Sequence, residues 1–167
     1  TTPIRPEVIT AVSEVMALTG ANPSSVHGYG RDARKRIEEA RMVVAALVNA
    51  SPDAVIFTGG GSEADNLAIM GSGRKRVMST ETEHSAVLKT ALLRTGNSQL
   101  LPVDDQGVVD LKALADRLVE DEDPALVCVM AANNETGVLQ PVREVVDIAH
   151  AHGALVLCDA VQAAGKI

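Results

Sequence analysis

The chain has 167 residues, 46% of them hydrophobic, and carries 15 Lys and Arg against 22 Asp and Glu for a net charge of −7. This length and apolar content suit one α/β-sized unit with its own core, while the acidic balance and a single Tyr, a single Phe and no Trp argue against nucleic acid as a partner. The longest apolar runs, such as residues 42–48, fall far short of the roughly 20 residues of a membrane span, so no membrane partner is expected.

The start Thr1-Thr2-Pro3-Ile4-Arg5 lacks the basic and then apolar layout of a secretory signal. Cys128 and Cys158 are too few for a disulfide framework, and both lie in apolar strand-like runs. They read as small hydrophobic side chains in a reducing, cytoplasmic setting.

Residues 5–18 open with Pro6 and carry Val8, Ile9, Val12, Val15 and Met16 at helical spacing, with Gly20 just past the end. The turn-rich stretch Asn22-Pro23-Ser24-Ser25-Val26-His27-Gly28-Tyr29-Gly30 follows, with His27 as its loop histidine. A second helix is predicted over 31–48, with Ile37, Ala40, Val44 and Leu47 as its apolar stripe.

From Ser51-Pro52-Asp53 onward, strands and helices alternate. Strands are predicted at 54–57, 76–79, 99–103, 125–130 and 154–158, and helices at 62–70, 85–94, 111–119 and 142–151. Repeated β-α units imply an α/β fold, a mostly parallel sheet flanked by helices, within a single unit spanning 1–167.

In such a sheet ligands gather beyond the carboxyl ends of the strands. The predicted ends lead into Gly59-Gly60-Gly61-Ser62, into Glu81-Thr82-Glu83-His84, into Asn133-Asn134-Glu135-Thr136-Gly137, and into Asp159-Ala160-Val161-Gln162. The first reads as an anion cradle, because glycines let backbone approach a ligand and the first N–H groups of a helix lack intrahelical partners. Ser62 and Asp65 fit a helix start, the hydroxyl as N-cap and the acid in the first turn. A plain strand-to-helix turn remains the bland alternative.

Two ligand classes compete for these ends. Gly59, Gly61 and Ala64 match G-x-G-x-x-A, with Glu81 or Glu83 about 20 residues on as a ribose-binding acid, which would make a dinucleotide-binding domain. That reading leaves Asp159, the Asn pair and Gln162 idle. Pyridoxal 5'-phosphate uses more of the set, since it needs a phosphate cradle, a carboxylate on its pyridinium nitrogen and polar contacts to its phenolic oxygen. Asp159, directly after a buried strand, is placed for the ring nitrogen, and an N-cap role is its alternative.

Asn22-Pro23-Ser24-Ser25-Val26-His27, the loop 59–66, Thr82-Glu83-His84, Asn133-Asn134-Glu135-Thr136-Gly137 and Asp159-Ala160-Val161-Gln162 stand in the order and contexts seen in cysteine desulfurases. Over nearly its whole length the chain resembles their nitrogen-fixation and housekeeping iron–sulfur branch, within the class V aminotransferases. The resemblance implies the large domain of a fold-type-I, aspartate aminotransferase-like, pyridoxal phosphate-dependent transferase, here incomplete. It also implies a homodimer that converts L-cysteine to L-alanine and passes sulfur, as an enzyme persulfide, to an acceptor or scaffold protein. Gly61 and Ser62 would bind the phosphate, and His84 would stack on the ring and move protons as the catalytic residue. Asp159 would pair with the ring nitrogen, and Asn134 and Gln162 would face the phenolic oxygen. No metal is implied.

Some positions depart from the pattern. Position 59 is Gly where such relatives usually carry Ser. The Schiff-base lysine belongs to a downstream Ser-x-His-Lys motif, and neither Lys166 nor any other lysine here matches it. The nucleophilic cysteine and the substrate-gripping arginine are also expected beyond residue 167, and neither Cys128 nor Cys158 fits the nucleophile. A non-catalytic relative of the same fold is therefore the alternative to a desulfurase segment.

Overall fold

The computed structural model describes residues 3–18, 21–94 and 97–167, and the chain falls into two compact units, Thr1–Phe57 and Thr58–Ile167. Gly20, expected beyond the first helix, and Thr1-Thr2 lie outside the described residues.

In the first unit, Pro6 opens helix α1, Pro6–Met16, at a position where its missing N–H is no loss. Its apolar stripe, from Val8 to Met16, is exposed, and no residue of α1 is buried. Helix α2, Gly28–Leu47, begins earlier than the predicted residue 31. The cause is a side-chain cap, in which the His27 Nδ1 accepts the Gly30 N–H at 3.3 Å. Gly30 has to be glycine here, because a Cβ would stand 2.3 Å from the Ser25 carbonyl oxygen and 2.9 Å from that of Asn22. The turn behind it is set by Asn22, whose Oδ1 accepts the Ser24 N–H at 2.9 Å.

The predicted strand over 54–57 does not form. Pro52–Ala54 is a 3₁₀ turn, and the extended residues after it pair with no strand among the described residues. Arg41 takes the place of a ladder partner. Its guanidinium donates to the Val55 carbonyl, lies 5.1 Å from the centre of the Phe57 ring, and is held by Glu38 at 3.1 Å. Apolar spacing located a strand-like run, but a strand needs a neighbour for its backbone.

In the second unit, helix α3 (Gly61–Gly71) leads into β1 (Arg76–Thr80), α4 (Ser85–Arg94), β2 (Ser98–Leu101), α5 (Leu111–Glu120), β3 (Ala125–Met130), α6 (Val142–Ala151) and β4 (Leu155–Asp159). The four strands form one sheet in the order β2-β1-β3-β4, and every neighbouring pair is parallel. The β2 strand is shorter than the predicted 99–103, because after Leu101 the chain turns so that Val103 bridges Val109.

Every residue of β1 and β3 is buried, as strands covered on both faces require. Their alternation divides the core. Met78, Val127 and Val129 pack with Leu114 and Leu118 of α5 and Val145 and Ala149 of α6. Val77, Leu126 and Cys128 pack with Ile69 of α3 and Val87 and Ala91 of α4. At the amino end of β1, the buried Arg76 donates to the carbonyls of Arg117 and Asp121 at the end of α5 and to Gln99 Oε1, with Asp121 as its ion partner at 3.6 Å. Those contacts close the amino edge with structural polar groups.

The Gly30 packing is directly testable. Gly30→Ala should lower stability by about 1–3 kcal/mol in urea unfolding followed by circular dichroism, as overpacking does. Gly28→Ala, whose Cβ would come no nearer than 3.9 Å to the Arg31 guanidinium, should change it little. Equal effects would mean that helix propensity, not the Asn22–Ser25 turn, sets the start of α2.

Candidate functional site

All four carboxyl ends of the parallel sheet face one edge of the second unit, where the predicted site residues His84, Asn134 and Gln162 follow β1, β3 and β4 and Asp159 ends β4. Gly61 and Ser62 reach the same unit through the start of α3.

The helix start differs from the sequence reading in two respects, one being that the acid of the first turn is Glu63 and not Asp65, which is buried further along α3. Gly60 is the cap residue, α3 begins at Gly61, and Ser62 lies in its first turn rather than at the N-cap. The reason is Glu63, whose carboxylate reaches back to accept the Gly59 N–H at 2.6 Å and so organises the entry without a serine cap. The Ser62 side chain makes no hydrogen bond among the described residues, and its carbonyl accepts the Asn66 amide at 2.5 Å. A Cβ on Gly60 would meet nothing within 4 Å, so the space before the helix is open. On Gly61 it would come within 3.3 Å of the Val161 methyl, so a bare backbone lets α3 lie against the turn after β4.

That turn is built by Asp159. It is the last residue of β4 rather than the residue after it. Its Oδ1 accepts the Val161 N–H at 3.0 Å, and no donor among the described residues reaches its Oδ2. The sequence alternative of an N-cap is not realised, since the residues after β4 form a turn and no helix; one carboxylate oxygen folds that turn and the other has no donor among the described residues. Gln162, half-buried in the same turn, accepts from Lys166 Nζ at 3.0 Å.

A cavity of about 430 Å³ lies between the ends of β1 and β3, bounded by Thr82, Glu83 and His84 on one side and by Asn133, Asn134 and Thr136 on the other. Asn133 shapes that wall. Its amide donates to the Thr82 carbonyl at 3.0 Å, and its Oδ1 accepts the N–H groups of Glu135 and Thr136. Asn134 beside it is exposed and uncommitted among the described residues. His84 precedes α4, and its Nδ1 accepts the Ala86 N–H at 3.2 Å. That bond assigns the neutral imidazole proton to Nε2, so the helix-start role and a ligand-facing role are compatible. The cavity brings His84 and Asn134 together, and Gly61 lies against Val161 in the turn that Asp159 folds.

Two buried acids lie outside the pyridoxal phosphate set, although the sequence offers Asp65 as a helix-start acid and Glu83 as a possible ribose ligand. Asp65 on α3 is pushed above the usual carboxylate range by burial and then by the charge of Asp159, with His84 pulling the other way. Glu83 is pushed up to about 7, chiefly by burial, against the pull of two hydrogen bonds. Its Oε1 accepts the Met130 N–H at 2.6 Å and the Thr80 hydroxyl at 2.9 Å, while its Oε2 is buried with no partner among the described residues. Spacing placed Glu83 in a polar loop, and only tertiary burial separates it from the exposed Glu81. Its inward commitment also removes it as a ribose ligand.

Cys128 is buried in β3, and burial raises its thiol well above the ordinary value. Cys158 is exposed on β4, against the expectation of a packed hydrophobe, because β4 borders the sheet. Its thiol is also raised, by desolvation and by Glu83 and Asp159, so neither is an activated thiolate. Among the described residues no group of His, Cys, Asp and Glu could hold a metal ion.

An open helix N-terminus, a carboxylate at the end of β4 with one uncommitted oxygen and a histidine ring after β1 stand in a parallel α/β protein, the last two at the carboxyl edge of its sheet. The comparisons narrow that class. The aminotransferase class-V family model matches residues 1–167. An IscS-like cysteine desulfurase of Mycobacterium tuberculosis is 41% identical over the whole chain, which covers 46% of that relative. The structure of a NifS-like protein from Rickettsia africae matches the whole chain with a TM-score of 0.91 and 32% identity, and the chain covers 47% of it. A structure of SspA in complex with cysteine matches 97% of the chain with a TM-score of 0.88 and 26% identity, and 49% of that protein is covered.

The chain belongs to the class V aminotransferase family. It spans about half the length of the relatives it matches.

The raised Glu83 has a consequence for stability. Between about pH 4.5 and 7 the folded state keeps a proton there that the unfolded chain has released, so stability falls as pH rises through that window and levels off above it. Glu83→Gln should flatten this slope and gain up to about 3 kcal/mol at pH 8 relative to the parent in urea titrations. An unchanged slope would show that Glu83 is ionised at neutral pH.

Proposed function

We propose that this chain forms the cofactor-binding part of a pyridoxal 5'-phosphate-dependent cysteine desulfurase. The carrying observation is the approach of Gly61, at the open start of α3, to Val161 in the turn that Asp159 folds with one carboxylate oxygen. A cofactor with a phosphate at one end and a protonated ring nitrogen at the other fits that pair of ends. Family membership and the names of the relatives support the same reading.

In this assignment the N–H groups at Gly61 and Ser62, with the Ser62 hydroxyl, bind the phosphate dianion at the positive end of α3. Asp159 Oδ2 accepts the ring-nitrogen proton, and the Val161 N–H on Oδ1 fixes the carboxylate plane. His84, held by its cap bond at Nδ1, offers its ring face for stacking and its Nε2–H for proton movement. Asn134 and Gln162 donate to the phenolic oxygen, Gln162 through the amide nitrogen that its Lys166 contact leaves available. When bound, the cofactor supplies the electron sink that weakens bonds at the substrate's α-carbon.

The overall change takes L-cysteine and an enzyme thiol to L-alanine and an enzyme persulfide, breaking one C–S and one S–H bond and forming one S–S bond and one C–H bond at the β-carbon, to which the thiol's proton goes. Sulfur then goes to an acceptor or scaffold protein, for iron–sulfur cluster assembly or another sulfur-containing cofactor. Cys128 and Cys158 are unsuited to the nucleophile role, and none of the five lysines lies in a Ser-x-His-Lys motif. The nucleophile and the anchoring lysine are accordingly assigned to sequence outside 1–167, with this chain as part of the large domain of a homodimer. No helix among the described residues is long and apolar enough to cross a membrane, and a cytoplasmic setting is part of the proposal.

Asp159→Ala in the complete protein should weaken pyridoxal phosphate binding roughly ten- to a hundredfold in an absorbance titration. Glu81→Gln should leave it unchanged. The reverse pattern would restore the dinucleotide reading. Borohydride reduction of the holoenzyme followed by peptide mass spectrometry should leave all five lysines of this chain unmodified, and a stoichiometric label on any one of them would move the anchor inside it.

A further inference from the structure

Glu83 is the buried group at this edge that the cofactor assignment leaves without a task. The β1–β3 ladder ends at Ser79 and Cys128, and β1 closes at Thr80, paired there with Leu101 of β2, while β3 runs on to Met130. The Met130 N–H is left facing a strand that has ended. The Glu83 carboxylate fills the gap, accepting that N–H at 2.6 Å and the Thr80 hydroxyl at 2.9 Å. The next N–H along, on Ala131, donates to the Asp159 carbonyl at 2.8 Å, and Met130 is the strand partner of Asp159. Two consecutive amides, of Met130 at the end of β3 and of Ala131 just beyond it, thus join Glu83 on one side to the backbone of Asp159 on the other.

We propose that Glu83 is a positioning residue for Asp159, a side-chain continuation of β1 that clamps the end of β3 and leaves the negative charge of this corner on the carboxylate that faces the cofactor. The inference rests on the cofactor assignment above for what Asp159 does, and on hydrogen bonding alone for the clamp. The titratable groups around Glu83 are Asp65 from α3, His84 beside it, Cys128 from β3, Cys158 and Asp159 from β4, with Glu81 and Glu135 on the cavity rim. In that company a second buried anion is disfavoured, and the partnerless Oε2 is the natural site for a retained proton. Ionisation of Glu83 would place a second negative charge beside Asp159.

The test uses Glu83→Ala, which removes clamp and carboxyl, and Glu83→Gln, which keeps the Oε1 acceptor and fixes the side chain as neutral. In the complete protein with pyridoxal phosphate, Glu83→Ala should weaken binding about tenfold and Glu83→Gln should restore it to within about twofold. The visible absorbance of the bound cofactor should lose, in Glu83→Gln, a titration step near pH 7 that the parent shows, at the pH where the Glu83 carboxyl ionises. In the apoprotein, amide hydrogen exchange over residues 129–132 should accelerate in Glu83→Ala and be restored in Glu83→Gln. Equal cofactor affinities for parent and both variants, or unchanged exchange in Glu83→Ala, would overturn the inference. If Glu83→Ala does not fold, persistence of the pH step in Glu83→Gln would overturn it equally. A parent that binds no cofactor would sink the proposed function, and the exchange result would still decide the clamp.

Discussion

Val77 and Met78 in β1, and Leu126 and Val127 in β3, point to opposite faces of the sheet, and each face is roofed by a pair of helices. Burial on both sides makes these strands parallel and aligned, because each return path must be a helix crossing a face. Alignment then has a chemical result. Every strand releases its chain at the same edge, and polar residues far apart in sequence arrive there together. The amino edge, where Arg76 ties down the carbonyls at the end of α5, has the opposite character. One edge is sealed by structural hydrogen bonds and the other is left with uncommitted ones.

The candidate site uses that second edge economically. His84 and Asp159 each commit one polar atom to folding and leave another without a partner among the described residues. His84 caps α4 through Nδ1, and Asp159 folds the turn at 161 through Oδ1. Each fold-side bond fixes the orientation of the ligand-side atom, so a residue with a satisfied structural role is not thereby excluded from chemistry. Asn133 and Asn134 divide the same work between two residues, the first building the loop and the second left exposed.

The acids at this corner show how burial sorts identical groups. Asp65, Glu83 and Asp159 interact electrostatically, and desolvation acts most on those drawn into the core. Charge is cheapest to keep where solvent or a cationic ligand can reach it. The pyridinium proton that the proposed cofactor would bring to Asp159 is such a ligand.

Much of this was legible in the residues themselves. The alternation of apolar runs located β1, β3, β4 and the helices around them, and the resemblance carried by five short motifs pointed to the class V aminotransferases, because period and punctuation are properties of local sequence. Position relative to other elements is not. Residues 54–57 have the apolar character of a strand, but no neighbour among the described residues pairs with their backbone. The helix at Gly61 starts one residue before the serine that seemed to cap it, because the Glu63 carboxylate reaches Gly59. Cys128 and Cys158 occupy similar apolar runs, yet one is in a central strand and the other in a bordering one. Glu83, two residues from the exposed Glu81, became a buried clamp only because β1 ends before β3 does. The sequence by itself determined the periodicities and the residue types at each strand end. Burial, pairing and proton affinity were decided by the tertiary structure, because each depends on what stands opposite a residue in space.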